Sequence, residues 1–185
     1  MTKAQLTVLA GPTAVGKGTV VAALTKRYPT LNVSVSATTR DPRPGELNGV
    51  HYYFVSAQEF DAMIERGDML EWALVHGKNK YGTPRGPVDE ALAAGKPVLL
   101  EIDLAGARQV RTNRPDAQFI FLAPPSWDEL ERRLIGRGTE GAEEQARRLA
   151  TARIELEAAS EFDHVVINDD VERAVDELAR LIGLE

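Results

Sequence analysis

Gly11-Pro12-Thr13-Ala14-Val15-Gly16-Lys17-Gly18-Thr19 follows a short apolar run, Leu6-Thr7-Val8-Leu9-Ala10, and leads into a helical pattern, Val20-Val21-Ala22-Ala23-Leu24. Strand, glycine loop, helix is the order a phosphate-binding loop requires. Glycines let successive backbone N–H groups turn inward around an anion, and the helix N-terminus behind them adds partial positive charge. Lys17 adds a mobile full charge suited to β- and γ-phosphates. The loop therefore points to a nucleoside triphosphate, with no word on what receives the phosphate. One position departs from the usual pattern: Gly18 stands where a Ser or Thr hydroxyl normally helps hold Mg²⁺, and Thr19 comes one step late.

The rest of the chain fits such a loop. Its 185 residues suit one domain with a sizeable core, and 43% hydrophobic with 27% charged residues is a globular composition. A formal net charge of −6 and a pI near 5.2 disfavour non-specific nucleic-acid binding, so any basic site must be a local cluster. The absence of cysteine excludes disulfides, thiol catalysis and Cys-ligated zinc. Neither a signal peptide nor a membrane-length apolar stretch is visible, so a cytoplasmic protein without a membrane partner is expected. The expected assembly is a monomer or a small homo-oligomer.

Apolar runs and helical patterns alternate. Strands are expected over 6–10, 33–37, 97–102, 118–122 and 164–167, and helices over 17–27, 87–94, 104–112, 126–136, 142–159 and 171–182. Short, continuously apolar strands alternating with helices predict a parallel α/β sheet with helices on both faces. Residues 38–86 break the rhythm. Strands or hairpin arms over 49–56 and 69–82, with a helix over 57–66 between them, predict an antiparallel insertion that overhangs the phosphate loop. Ser56 with Glu59, and Ser126 with Glu129, have the spacing of capping boxes.

Further clusters could carry chemistry. Arg40 and Arg43 lie in the Pro-stiffened loop Thr38-Thr39-Arg40-Asp41-Pro42-Arg43-Pro44-Gly45-Glu46, and guanidinium forks match phosphate oxygens; a solvated basic turn is the plain alternative. Glu71 sits in an apolar segment. Guanine presents N1–H and N2–H₂ side by side to a carboxylate, while adenine N1 would repel one, so Glu71 could discriminate between purines. A surface position at the sheet edge is the alternative. Asp103 ends a strand on the ligand edge of an α/β sheet, where it could meet Mg²⁺ through water or simply cap a helix. Arg133, Arg137 and Arg148 flank Gly138-Thr139-Glu140-Gly141, which reads as a mobile lid or as surface arginines on two polar helices. Asn168 precedes the helix cap Asp170 and could contact a donor base. The histidines at 51, 76 and 164 have no metal-ligand spacing.

Together these segments resemble the guanylate kinase family from about residue 5 to 182. The most specific pieces are Ser34-Val35-Ser36-Ala37-Thr38-Thr39-Arg40, Arg43-Pro44-Gly45-Glu46, Gly49-Val50-His51-Tyr52-Tyr53-Phe54, Leu70-Glu71-Trp72, Tyr81-Gly82-Thr83, Ile102-Asp103, Gly136-Arg137-Gly138-Thr139 and Asn168-Asp169-Asp170. The resemblance implies an α/β P-loop NTPase fold and the reaction ATP + GMP ⇌ ADP + GDP with Mg²⁺. It implies a core over 1–37, 86–134 and 149–185, a GMP-binding insertion over 38–85 and a lid over 135–148. In this sequence Ser36, Glu71 and Thr83 would then read guanine. Arg40, Arg43, Tyr52 and Tyr81 would hold the GMP phosphate, with Glu46 positioning them. Asp103 would lie near GMP and the metal. Gly11 to Thr19 with Asn168 would hold ATP, and Lys17, Arg40, Arg133, Arg137 and Arg148 would act on the phosphates. Thr19 and Asp103 would face Mg²⁺, mostly through water. GMP, and dGMP as a variant of it, would be the acceptor. A protein-binding module without catalysis, or a kinase with another phosphorylated acceptor, are the other readings. Retention of Gly16-Lys17 argues against the first and of Glu71 with Thr83 against the second.

Overall fold

The computed structural model describes residues 4–136 and 140–185. Along the chain run β1 (Leu6–Ala10), α1 (Lys17–Arg27), β2 (Asn32–Val33), β3 (Ala37–Thr38), β4 (Tyr53–Phe54), α2 (Ala57–Glu65), β5 (Met69–Val75) and β6 (Asn79–Pro84). They are followed by α3 (Arg85–Ala93), β7 (Val98–Glu101), α4 (Leu104–Asn113), β8 (Gln118–Ala123), α5 (Trp127–Ile135), α6 (Ala142–Glu157), β9 (His164–Ile167) and α7 (Val171–Ile182).

Five of these strands form a parallel sheet in the order β2-β7-β1-β8-β9. Strand side chains alternate between faces, and here both faces are covered. Leu9 joins Val20, Leu24, Leu99, Ile120 and Leu122 under α1 and α7. Val8 and Ala10 join Leu100, Phe119, Val88 and Val110 under α3 and α4. Each fully buried Leu or Val contributes roughly 1.5–3 kcal/mol of hydrophobic stabilisation. In α7 the buried residues Ala174, Val175, Leu178, Ala179 and Ile182 recur at helical spacing, so that one stripe faces the sheet. Asp170 caps its start by accepting from the Arg173 N–H, and Gly183 ends it at φ 79°. The two expected capping boxes also form their first bond, Ser56 accepting from Glu59 N–H and Ser126 from Glu129 N–H.

The insertion departs from expectation in three ways. The single strand expected over 33–37 is two short strands in different sheets. Asn32 and Val33 pair with β7, whereas Ala37 and Thr38 pair with β4 and β6. The chain crosses from one sheet to the other through Ser34-Val35-Ser36, where the Ser36 carbonyl already accepts from Tyr53 N–H. Second, the sheet is mixed and not purely antiparallel: in the order β4-β3-β6-β5, the β3–β4 pair runs parallel. Third, only Tyr53 and Phe54 of the strand expected over 49–56 form a strand. The segment before them is a turn, closed by Gly49 N–H on the Tyr52 carbonyl at 2.7 Å. The β5–β6 hairpin forms as expected, in register from Glu71↔Thr83 to Val75↔Asn79.

Candidate functional site: the phosphate loop and a buried carboxylate

The loop between β1 and α1 is shaped by close backbone approaches. A Cβ at Gly11 would sit 2.4 Å from the Leu122 carbonyl oxygen, so only glycine lets the loop leave the sheet there. Gly16 has φ 96°, and a Cβ on it would meet the Asn168 amide nitrogen at 2.8 Å. That amide donates to the Val15 carbonyl at 2.8 Å, and Arg133 donates to the same oxygen at 3.2 Å. Asn168 and Arg133 thus brace the loop from outside, while within it Val15 N–H donates to the Pro12 carbonyl at 3.2 Å. Lys17 folds back over the loop, donating to the Gly11 carbonyl at 3.1 Å and to the Ile102 carbonyl at 3.3 Å. Its burial lowers its pKa, and the carboxylates of Glu101, Glu155 and Asp103 oppose that shift.

The second cluster centres on Glu71, which is 9% exposed beside the fully buried Thr83. Thr83 donates its hydroxyl to Glu71 Oε1 at 2.7 Å. Gly82 permits this approach of β6 to β5, since a Cβ there would lie 2.6 Å from the Glu71 carbonyl oxygen. Burial raises the Glu71 pKa, and the Asp103 charge raises it further against the Thr83 hydrogen bond. A Cβ at Gly106 would be 3.1 Å from both Glu71 Oε2 and Asp103 Oδ1, so the two carboxylates share one small space over the start of α4. Asp103 also caps α4, accepting from Gly106 N–H at 2.7 Å. The cap and the site position are one and the same arrangement.

Two residues that sequence reasoning missed fix Glu71 in place. The Gln109 side chain accepts from Trp72 N–H at 3.0 Å and donates to the Trp72 carbonyl at 2.9 Å. Asn113 donates to the Leu70 carbonyl at 2.8 Å. Both neighbours of Glu71 are therefore tied to α4. The available signal was the i, i+4 spacing of two amides on one face of a helix.

The third cluster lies in the 38–54 segment. Arg40 donates to Glu46 at 3.0 Å, with only 14% and 18% of the two side chains exposed. Glu46 also accepts from Arg43 N–H at 3.2 Å, closing the turn. The hydrogen bond to Glu46 raises the Arg40 pKa, with a further bond to Tyr81, and holds the Glu46 carboxylate below the usual range. The guanidinium lies 5.2 Å from the Tyr52 ring centre, and the Tyr52 and Tyr81 rings are 5.9 Å apart. Arg40, Glu46, Tyr52 and Tyr81 form one cluster. Arg43 is exposed beside it, and Ser36 is half-buried on the strand crossing.

Arg148 is paired with Glu140 at 2.5 Å and Glu144 at 3.6 Å. With Arg147, Thr151, Thr13 and His76 it lines a cavity of about 470 Å³. The β5–β6 turn of the insertion thus reaches over the phosphate loop toward α6. Arg137 lies outside the described residues. Thr19 is exposed in the first turn of α1. Glu155, also missed by sequence reasoning, accepts from Thr13 N–H at 3.2 Å.

The donor set suits a Mg²⁺ ion that arrives with a nucleotide. Among the described residues no group of three or more His, Asp or Glu could hold a metal alone. The carboxylates of Glu101, Glu155 and Asp103 act on Lys17, and Mg²⁺ is commonly held by one or two carboxylates plus phosphates and water.

A parallel sheet whose first strand ends in a glycine loop with a folded-back lysine defines a P-loop NTPase. The guanylate kinase family model matches residues 3–185. A guanylate kinase of Nocardia farcinica is 61% identical over 180 residues, covering 97% of this chain and 93% of that protein. One from Rhodococcus jostii is 59% identical over 181 residues, covering 97% and 87%. A crystal structure of guanylate kinase from Anaplasma phagocytophilum superposes with a TM-score of 0.74 at 31% identity, covering 99% of this chain and 86% of that one. The chain belongs to the guanylate kinase family, whose members are nucleoside monophosphate kinases.

Proposed function

We propose that this chain transfers the γ-phosphoryl group of ATP to GMP, giving ADP and GDP. The observation that carries the reading is the position of Asp103. Its Oδ1 and the Glu71 Oε2 both lie 3.1 Å from where a Gly106 Cβ would stand, and Lys17 donates to the carbonyl of the preceding residue, Ile102, at 3.3 Å, so Asp103 lies between the phosphate loop and the Glu71–Thr83 pair. Loop and pair are two ends of a single site.

In this reading the Glu71 carboxylate accepts guanine N1–H and N2–H₂, with Thr83 and Ser36 completing the base contacts. Arg40, Arg43, Tyr52 and Tyr81 hold the GMP phosphate, and Glu46 keeps Arg40 aimed. The loop N–H groups and Lys17 hold the donor phosphates, and Asn168 lies on the side of the adenine. An oxygen of the GMP phosphate attacks the γ-phosphorus and the bond to the β-phosphate oxygen breaks, leaving ADP. That acceptor is already ionised at neutral pH and needs no strong base. Catalysis is then positioning and charge stabilisation, with Lys17, Arg133, Arg137 and Arg148 offsetting charge on the transferred group. Mg²⁺ bound with ATP would neutralise phosphate charge, faced by Asp103 and Thr19 through water. Gly18 supplies no hydroxyl for it. The core, insertion and lid divide the work as donor site, acceptor site and cover, and a cytoplasmic location suits an enzyme drawing on ATP.

The test is ADP release with ATP and Mg²⁺ and a panel of GMP, dGMP, AMP, UMP and CMP. Strong turnover with GMP, little with AMP and none without metal is the expected result. Folded, ATP-binding protein without turnover would point to a binding module, and turnover only with another acceptor would overturn the roles of Glu71 and Thr83.

A further inference from the structure

Glu155 has no part in the reaction just described, yet its carboxylate sits on the phosphate loop. Thr13 N–H donates to Glu155 Oε2 at 3.2 Å, and the same carboxylate attracts Lys17. An N–H of a phosphate loop and the loop's lysine are the groups that an anionic phosphate should find. The placement is built into the helix. On α6, Leu149, Ala152 and Leu156 pack with Ala14 of the loop against Leu130 and Leu134 of α5. Residue 155 falls on that same face, one turn beyond Ala152. Ala14 itself is held at φ 68°, in the left-handed region, beside the N–H that Glu155 takes.

A triphosphate cannot simply be added to this arrangement. The charges of Glu101, Glu155 and Asp103 already act on Lys17, whose ammonium donates to the Gly11 and Ile102 carbonyls. A phosphoryl group entering beside Glu155 would meet a like charge within the Debye length. Burial raises the Glu155 pKa and Asp103 adds to the rise, opposed by the Thr13 N–H and by Lys17. Arg148, on the same helix, is meanwhile occupied by Glu140 and Glu144 and not by the loop.

We infer that Glu155 is a built-in competitor of the donor phosphates: it holds the Thr13 end of the loop and must leave when ATP binds. It is a positioning residue, acting on donor affinity through the loop and not on the transferred group. The inference rests on the reading of the loop as an ATP site.

Glu155→Gln keeps a side-chain oxygen for Thr13 N–H and removes the charge. ATP binding to the full chain without GMP, measured by calorimetry with and without Mg²⁺, should tighten about tenfold in E155Q, within the usual range of coupling between sites. GMP binding should be unchanged. Thermal unfolding supplies the second readout. E155Q should melt below the wild type when free of nucleotide, and saturating ATP should erase the difference, because only the free state uses the contact. Unchanged or weaker ATP binding in E155Q, or a melting deficit that persists at saturating ATP, would overturn the inference. Weakening confined to samples with Mg²⁺ would overturn it too, by making Glu155 a metal-side group. A wild type that binds no ATP would instead overturn the reading of the loop.

Discussion

The two ends of the proposed site are made of different material. The phosphate loop is main chain: Gly11 and Gly16 allow approaches that a Cβ would block, and Asn168 and Arg133 brace one carbonyl from behind. The Glu71 end is side chain: a buried carboxylate, a hydroxyl from the next strand and an aspartate from the core. Phosphate is recognised the same way in every nucleotide, so a generic backbone cradle suffices. A base must be told from other bases, which takes buried polar groups whose mispairing is costly. The difference predicts that mutations at the loop lower the rate for any acceptor, while those around Glu71 change which acceptor is used.

The largest effect should break the loop end. Lys17→Ala is expected to lower kcat by about 10³-fold or more, since in the proposed reading it removes the loop's own charge from the donor phosphates. Near-normal turnover of that variant in the ADP-release assay would remove the loop from the chemistry. Next, Glu71→Gln should raise KM for GMP on the order of 10²-fold, because the amide N–H₂ then opposes a guanine donor. KM for ATP should barely move, and equal changes in both would count against base reading.

A smaller change sharpens the contrast by leaving every proposed contact residue in place. Gln109→Ala frees both backbone groups of Trp72 from α4, and loss of about 1 kcal/mol of positioning corresponds to roughly a fivefold rise in KM for GMP. Here kcat with saturating GMP should stay close to that of the wild type. If the loss fell on KM for ATP instead, the two ends would not be separable.

The smallest expected effect concerns stability. Burial raises the Glu71 pKa above the ordinary 4.5. Between that value and the raised one the folded protein holds a proton that the unfolded chain has lost, so this residue's contribution to stability falls as pH rises through the window. Glu71→Gln has no such proton and still accepts from Thr83. It should therefore melt about 2–4 °C above the wild type at pH 7, with the gap closing as pH falls below the window. A gap that does not change with pH would mean that the buried charge is not its source.

These regions also differ in how far they could be read in advance. The loop, its flanking strand and helix, the parallel core and the caps at Ser56, Ser126 and Asp170 were legible because each rests on residues within a few positions of one another. The strand expected over 33–37 was misplaced because both of its halves are apolar enough to be sheet, and only their distant partners, β7 for one and β4 with β6 for the other, decide which sheet. Gln109, Asn113 and Glu155 were missed because a polar residue on a helix looks solvated until its neighbour is known.

Local signals were enough to specify the phosphate loop and the alternating core around it, since glycine placement and hydrophobic period act within a few residues. It took the folded chain to bring Glu71, Thr83 and Asp103 together, to clamp the segment carrying Glu71 with α4, and to rest Glu155 on the loop. Those contacts join residues up to 142 positions apart. No local preference encodes such a pairing; it appears when burial of the core brings the elements together.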